Sequence, residues 1–143
     1  MIVQVYMPTS SHLEEEIEEV YEQLEEVIGV AKRKENLIVM EDWNAVVGEG
    51  REGRSVNQFV LGKRNSAGER QIGFCNERKM VEANTLFEQH RRKRYTWKMP
   101  GDRARYQVDY IFVRTRYRNH VKQCKSYLSA DIKTDHNLVV INS

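Results

Sequence analysis

Cysteine and proline are nearly absent. Cys75 and Cys124 are the only thiols, and Pro8 and Pro100 the only prolines. Two cysteines so far apart offer neither the ligand spacing of a zinc site nor a disulfide framework, so reduced thiols and an intracellular location are expected. No apolar run approaches the ~20 residues of a membrane span. The opening "MIVQVYMPTS" has no basic segment ahead of an apolar one, so no signal peptide is expected and no membrane partner. Internal repeats and low-complexity linkers are also missing. Hydrophobic residues make up 40% and charged residues 31% of 143. That composition suits one folded domain, or one piece of a domain, spanning 1–143 with a hydrophobic core of its own.

The net charge of +2 hides a strong asymmetry. Residues 1–50 carry three Lys/Arg against twelve Asp/Glu, and residues 51–143 carry twenty against nine. Most of the acidic excess belongs to one amphipathic helix. "SHLE", Ser11 to Glu14, has the form of a capping box. After it Leu13, Ile17, Val20, Tyr21, Leu24, Val27, Ile28 and Ala31 recur at three- and four-residue steps, the apolar stripe of a helix, with glutamates on the remaining face. Lys32, Arg33 and Lys34 follow at its C-terminal end, where the helix dipole favours cations. The basic part includes the run Arg91–Arg94. Alone, such a run is most often a solvated loop; combined with the overall basic excess it suits a polyanion such as nucleic acid.

Alternation and β-branched residues predict strands at Ile2–Tyr6 and Leu37–Met40, then at "VEANTLF", "RYTWKM", "YQVDYIFV", "VKQCKSYL" and "NLVVIN". Val46 to Gly68 reads as a long loop with five glycines, and a second helix is predicted from about Glu69 to Lys79, weakened by Gly73. Helices early and strands throughout give an α/β domain with a mixed sheet and flanking helices.

Three strands break their own pattern. The strand from Leu37 ends in Glu41, Asp42, Trp43 and Asn44, and an unpaired carboxylate is costly to bury. In "YQVDYIFV" the alternation sets Gln107, Asp109, Ile111 and Val113 on one face, and Val108, Tyr110 and Phe112 on the other. Asp109 therefore needs a partner, whether backbone, an arginine such as Arg114, or a site. Asp135-His136 stands directly before the last strand. If these strands are neighbours, their polar groups converge, and a histidine oriented by one carboxylate beside others is a workable set for phosphoryl transfer or hydrolysis.

"VYMP", "EDWN", "YTW", "QVDYI" and "TDH", in this order, resemble the endonuclease/exonuclease/phosphatase superfamily. They are most similar to its retrotransposon-type, apurinic-endonuclease-like branch. The stretch Leu61–Pro100 resembles the craniofacial development protein (bucentaur-like) family in particular. The resemblance covers nearly the whole chain and reaches the C-terminal half of the family's two-sheet α/β sandwich. It implies a DNA endonuclease-type phosphodiester hydrolase that uses Mg²⁺, with Mn²⁺ as an alternative. Tyr6 would contact the scissile phosphate, Asp42 would position the attacking water, and Asn44 stands beside it. Asp109 would orient His136, which stabilises charge on the phosphate. Thr96 and Trp97 would meet substrate, with Arg91, Arg92 and Arg94 along the nucleic acid. The cation would rest on Asp135 and Asp42, with Glu41 as a substitute ligand.

This sequence departs from the family in three respects. The family draws its principal metal-ligating glutamate and a further asparagine from the N-terminal half, which this stretch does not include, so impaired activity is expected. Glu41 replaces a glycine and can clash, raise the pKa of Asp42 or ligate the cation. Gln4 and Thr134 stand where asparagine and serine are common. Half of a two-sheet sandwich exposes apolar sheet surface, so self-association or pairing with the N-terminal half is expected. A domesticated, catalytically inactive module that binds nucleic acid or protein is the alternative reading.

Overall fold

The alternating residues at the start of the chain and after Leu37 form neighbouring strands in the computed structural model, which describes residues 1–9, 14–32, 34–48, 59–127 and 134–143, without the side chains of Glu41 and Asp102. β1 (Ile2–Gln4) is followed by α1 (Glu14–Val30), β2 (Ile38–Asp42), α2 (Ser66–Arg78) and β3 (Met80–Glu82). Two short strands follow, β4 (Trp97–Lys98) and β5 (Arg105–Tyr106), then β6 (Asp109–Arg114), β7 (Gln123–Tyr127) and β8 (Leu138–Asn142). The mixed sheet has the order β1-β2-β6-β3; β1 runs parallel to β2, and β6 antiparallel to both its neighbours. β4–β5 and β7–β8 are separate antiparallel pairs. The α/β expectation with a mixed sheet and flanking helices holds. Among the described residues no helix is long and apolar enough to cross a membrane.

Period-2 alternation divides the sheet into two faces. Val5, Val39, Trp43, Tyr110 and Phe112 meet Tyr21, Leu24 and Ile28 of α1 and Ile72 and Phe74 of α2 in the main core. Trp43 stacks on Phe112 at 4.4 Å between ring centroids and an 18° tilt, an arrangement that adds ~1 kcal/mol beyond area burial. The other face carries Val81, Ile111 and Val113 under Cys124, Val139 and Ile141 of the β7–β8 hairpin. It stays open toward β1, where Ile2 is 70% exposed, and Leu138 at the head of β8 is 56% exposed. Both thiols are buried and unpaired.

Some boundaries differ from the sequence expectation for local reasons. "VEANTLF" is a strand only to Glu82, then a 3-10 turn over Ala83–Thr85. "RYTWKM" keeps two strand residues. On α1, Val27 and Val30 fall off the buried face. The capping box lies outside the described residues, since Ser11 to Leu13 are among those not described. The second helix begins earlier than Glu69: the Asn65 side chain accepts from Gly68 N at 2.8 Å and caps it, and the same oxygen accepts from Val46 N at 3.2 Å. Parts of the described ends of the long loop are core, with Val47, Val60 and Leu61 buried, while Gly62, Lys63 and Asn65 stay exposed.

Gly68 is where this junction is tightest. A Cβ there would lie 2.0 Å from the Val46 carbonyl oxygen, whereas at Gly73 nothing lies within 4 Å. Gly68→Ala should destabilise the fold by at least ~2 kcal/mol through forced backbone movement. Gly73→Ala should stabilise it by ~0.5–1 kcal/mol, which removes the helix penalty read from the sequence. Chemical denaturation of both variants checks the opposite signs.

Glu82 is fully buried on the helix side, where Gln71 Nε2 donates to its Oε1 at 2.9 Å. Burial pushes its carboxyl from 4.5 up to about 8, against the opposing pull of Gln71 and the more distant Arg64. Glu82 Oε2 and Gln71 Oε1 are both left without a donor when the carboxyl is ionised. A proton on Glu82 supplies one. Below about pH 4.5 both folded and unfolded chains carry that proton and the contribution is fully present; it is lost as pH rises toward about 8. Glu82→Gln should flatten this decline. Its unfolding free energy should vary less than that of the parent chain between about pH 5 and about pH 9, by an amount on the order of a few kcal/mol.

Candidate active site

Antiparallel register places Asp42, the last residue of β2, directly opposite Asp109, the first of β6. Both belong to the open face of the sheet, and two like charges opposed across strands repel. The group between them is His136. Its Nδ1 lies 3.0 and 3.2 Å from the two carboxylate oxygens of Asp109, and its Nε2 lies 3.6 Å from Asp42 Oδ2. Asp109 thus finds its partner in His136; Arg114 sits at the other end of the same strand.

The approach of His136 is built by β4. His136 bridges to Trp97, Lys98 N donates to the Asp135 carbonyl at 2.9 Å, and Asn137 N donates to the Thr96 carbonyl at 2.6 Å. The Asn137 side chain donates to the Tyr95 carbonyl. At the other carboxylate, Asn44 adopts a left-handed conformation (φ 47°) that asparagine tolerates. Its N–H donates to Asp42 Oδ1 at 2.9 Å, and its side chain donates to the Met7 carbonyl at 2.7 Å. Asn44 therefore ties the ends of β1 and β2 together while turning the chain away from Asp42.

Tyr6 follows β1 where Val5 N and Met7 N still donate to the Met40 and Asp42 carbonyls; alternation turns it to the Asp42 face, and it is 65% exposed. Gln4, Asp42, Asp109, Asn137 and Leu138 line a recess of about 210 Å³ between the sheet and β8. Trp97 is half-buried and stacks on Tyr106 at 5.8 Å. Arg91 and Arg92 are exposed in a 3-10 turn, while Arg94 is partly spent on structure, its Nε donating to the Gln89 carbonyl at 2.7 Å. Asp135 is exposed and stands outside the cluster formed by Asp42, Asp109 and His136, whose ligand atoms lie within 4.8 Å of one another. Glu41 pairs through its backbone with Tyr110, and its side chain lies outside what the structure describes.

Thr96, expected to meet substrate, has a structural role in the sheet. It is 0% exposed, and its hydroxyl accepts from Val108 N at 2.9 Å and Asp109 N at 3.0 Å. Asn84, which the sequence reading passed over, grips the same strand: its side chain donates to the Asp109 carbonyl at 3.1 Å and accepts from Ile111 N at 2.9 Å. Where β3 leaves the sheet in its 3-10 turn, this amide replaces the missing strand partner. Polar residues inside "VEANT" and "YTW" were the available signal.

For a hard divalent cation the donor chemistry is narrow. Both oxygens of Asp109 face His136, and one oxygen of Asp42 holds the Asn44 N–H. Asp42 fits a cation that keeps several waters and takes one carboxylate, which is how Mg²⁺ often binds.

No family model matches the chain. It is similar to craniofacial development protein 2 of Tragulus javanicus and of Bos taurus, at 39% identity over 139 residues, which is 97% of this chain and 24% of each relative. The chain thus spans about a quarter of the length of these curated relatives. The endonuclease domain of TRAS1, a telomere-specific non-LTR retrotransposon, superposes with a TM-score of 0.61 at 20% identity, covering 88% of this chain and 51% of that one. The 3′-5′ exonuclease NExo from Neisseria meningitidis gives 0.69 at 15% identity, covering 99% and 60%. The chain has an endonuclease/exonuclease/phosphatase-type fold. A further structure of NExo, a 3′ phosphatase bound to product DNA hairpin, matches that fold with a TM-score of 0.70 at 15% identity, over 99% of this chain and 60% of that one.

Within the endonuclease/exonuclease/phosphatase-type fold, Thr96 and Asn84 fix the two peptide groups flanking Asp109. Thr96→Val should weaken the hold of Asp109 on His136, while Thr96→Ser, which keeps the hydroxyl, should not. The Nδ1–H NMR signal of His136 reports this directly: it should be as protected from exchange in Thr96→Ser as in the parent chain, and exchange faster in Thr96→Val.

Proposed function

We propose that the chain is one half of a Mg²⁺-dependent phosphodiester hydrolase domain of DNA-endonuclease type. The observation that carries this reading is the opposition of Asp42 and Asp109 around His136, in a fold shared with nucleases. Asp109 holds the imidazole by Nδ1, which leaves Nε2 on the side of Asp42, 3.6 Å from its Oδ2, and a phosphate oxygen would sit beside it. A protonated Nε2 donates to that oxygen as negative charge builds on it. Asp42, opposite, orients an attacking water through the oxygen not held by Asn44. Tyr6 supplies a hydroxyl at the rim. Trp97 and the guanidinium groups of Arg91, Arg92 and Arg94 follow the sugar-phosphate backbone, the contacts that position a nucleic acid. A bound Mg²⁺ or Mn²⁺, anchored on Asp42 with Asp135 at its margin, would neutralise charge on the phosphate. The remaining ligands come from the other half of the domain, in a longer chain or a second copy docked on the open sheet face. A nuclear location follows from a DNA substrate.

A second reading is favoured by the donor set itself. With Asp109 committed to His136, a single carboxylate is left to anchor the cation. An inactive module that binds DNA or protein through the same fold accounts for that.

The test is Mg²⁺-dependent cleavage of supercoiled plasmid and of an abasic-site duplex, by this chain and by a longer chain that includes the complementary half. Cleavage by the longer chain, reduced about a hundredfold or more in His136→Ala, is the expected result. Absence of cleavage from the longer chain at every metal concentration, even with Glu41→Gly, together with salt-dependent duplex binding, would overturn the hydrolase reading and leave the binding module.

A further inference from the structure

The end of β6 remote from Asp109 carries a second concentration of charge. Arg78, Lys79, Arg114, Thr115 and Arg116 line a recess of about 200 Å³ with no carboxylate among its walls. Four cationic residues around one small recess repel one another and raise the local potential for an anion. The fold holds them there. Met80 pairs with Arg114 in the β3–β6 register, and Thr115 N donates to the Lys79 carbonyl at 2.9 Å. Lys79 closes α2 in the left-handed conformation, φ 53°.

Two of the four cations have other duties. Arg78 is held by Glu25 at 2.5 Å, and Arg116 lies over the Tyr117 ring at 5.2 Å. The other two do not. Arg114 Nε is buried without a hydrogen-bond partner, and the Lys79 ammonium forms no ion pair with the described residues. A buried guanidinium nitrogen left unpaired is costly, and nearly all such groups in folded proteins are satisfied. An oxyanion in the recess, which Arg114 and Lys79 line, would pair with their charges and relieve the repulsion. The donors differ in kind: a guanidinium fork, a compact ammonium and a hydroxyl. Together they match an anion with several acceptor oxygens, such as a phosphate group.

A second recess, of about 360 Å³, adjoins the first and shares Lys79 and Thr115; its other walls are Cys75, Asn76 and Met80. Cys75 and Met80 are buried core residues, so this side is largely apolar. We propose that the two recesses form a binding site for a phosphate monoester, its phosphate on Arg114, Lys79 and Thr115 and its organic group toward Cys75 and Met80. The site is separate from the Asp42–Asp109–His136 cluster. Arg114 lies five residue steps along β6 from Asp109, about 17 Å at ~3.4 Å per residue. It does not depend on the proposed hydrolase chemistry.

The test uses this chain carrying His136→Ala, so that phosphate at the candidate active site does not contribute. Inorganic phosphate and a nucleoside monophosphate are titrated separately while the amide signals of Lys79 and Thr115 and the Arg114 Nε–H signal are followed. Saturable shifts for both probes, with the monophosphate tighter, are expected. Affinity should fall about tenfold or more in Arg114→Met, the loss of one charged hydrogen-bond set. Lys79→Gly should weaken binding similarly while keeping the helix end intact, because glycine favours that backbone conformation. A blunt duplex lacking terminal phosphates should not compete. Shifts that fail to saturate, an affinity unchanged from the parent in both variants, or displacement by that duplex would each overturn the proposal, the last by reducing the recess to a surface patch for backbone phosphates.

Discussion

Two carboxylates face each other across a strand pair, and much of the local architecture answers that one repulsion. Asp42 and Asp109 are register partners. Left alone they would push β2 and β6 apart at the end of the sheet. His136 lies between them, within hydrogen-bond reach of Asp109 and a little further from Asp42. Everything that brings His136 there follows: the short β4–β5 pair, the bridge at Trp97, and the buried Thr96 whose carbonyl and hydroxyl serve both sides of the joint. The site is therefore not added to a finished sheet. The sheet closes at this end because the site does.

The same economy governs the opposite face. Helices α1 and α2 cover only the side of Tyr110 and Phe112, which leaves the side of Asp109 and Ile111 available to a hairpin near one edge and open near the other. Alternation along β6 assigns chemistry to one face and core to the other within six residues. Polar interruptions in an apolar strand are tolerable only where they can be paired, and His136 supplies the pairing.

Much of this was legible in the residues. The three polar interruptions, at Asp42/Asn44, Asp109 and Asp135/His136, predicted convergence, and the faces of "YQVDYIFV" came out as alternation required. Asp42, Asp109 and His136 are found together, while Asp135, the neighbour of His136 in the chain, is exposed outside the cluster. Adjacent residues at a strand entrance point apart, which a sequence motif does not record. The roles of Thr96 and Asn84 are not legible in the sequence because their work is to hold backbone groups, and those partners become visible only once strands are placed. Glu82 escaped for a different reason: a carboxyl made stable by a buried amide looks like any other strand-end glutamate until its surroundings are known. The start of α2 was readable in principle from Asn65, three residues before Gly68, a pattern overshadowed by the glycine count of the loop.

That same Asn65 side chain has a consequence for how this lineage can change. One oxygen accepts from Val46 N and Gly68 N, so both ends of the 46–68 segment meet at a single atom. What lies between is then a closed excursion from a fixed base. Lengthening such an excursion costs free energy only as the logarithm of its length, about 0.6 kcal/mol per doubling. Residues can be gained or lost within it while the bond at its base stays the same, and with it the turn at Asn44 that presents Asp42. A chain built this way can gain or lose residues in this segment by insertion and deletion, with the reacting end of the sheet held constant.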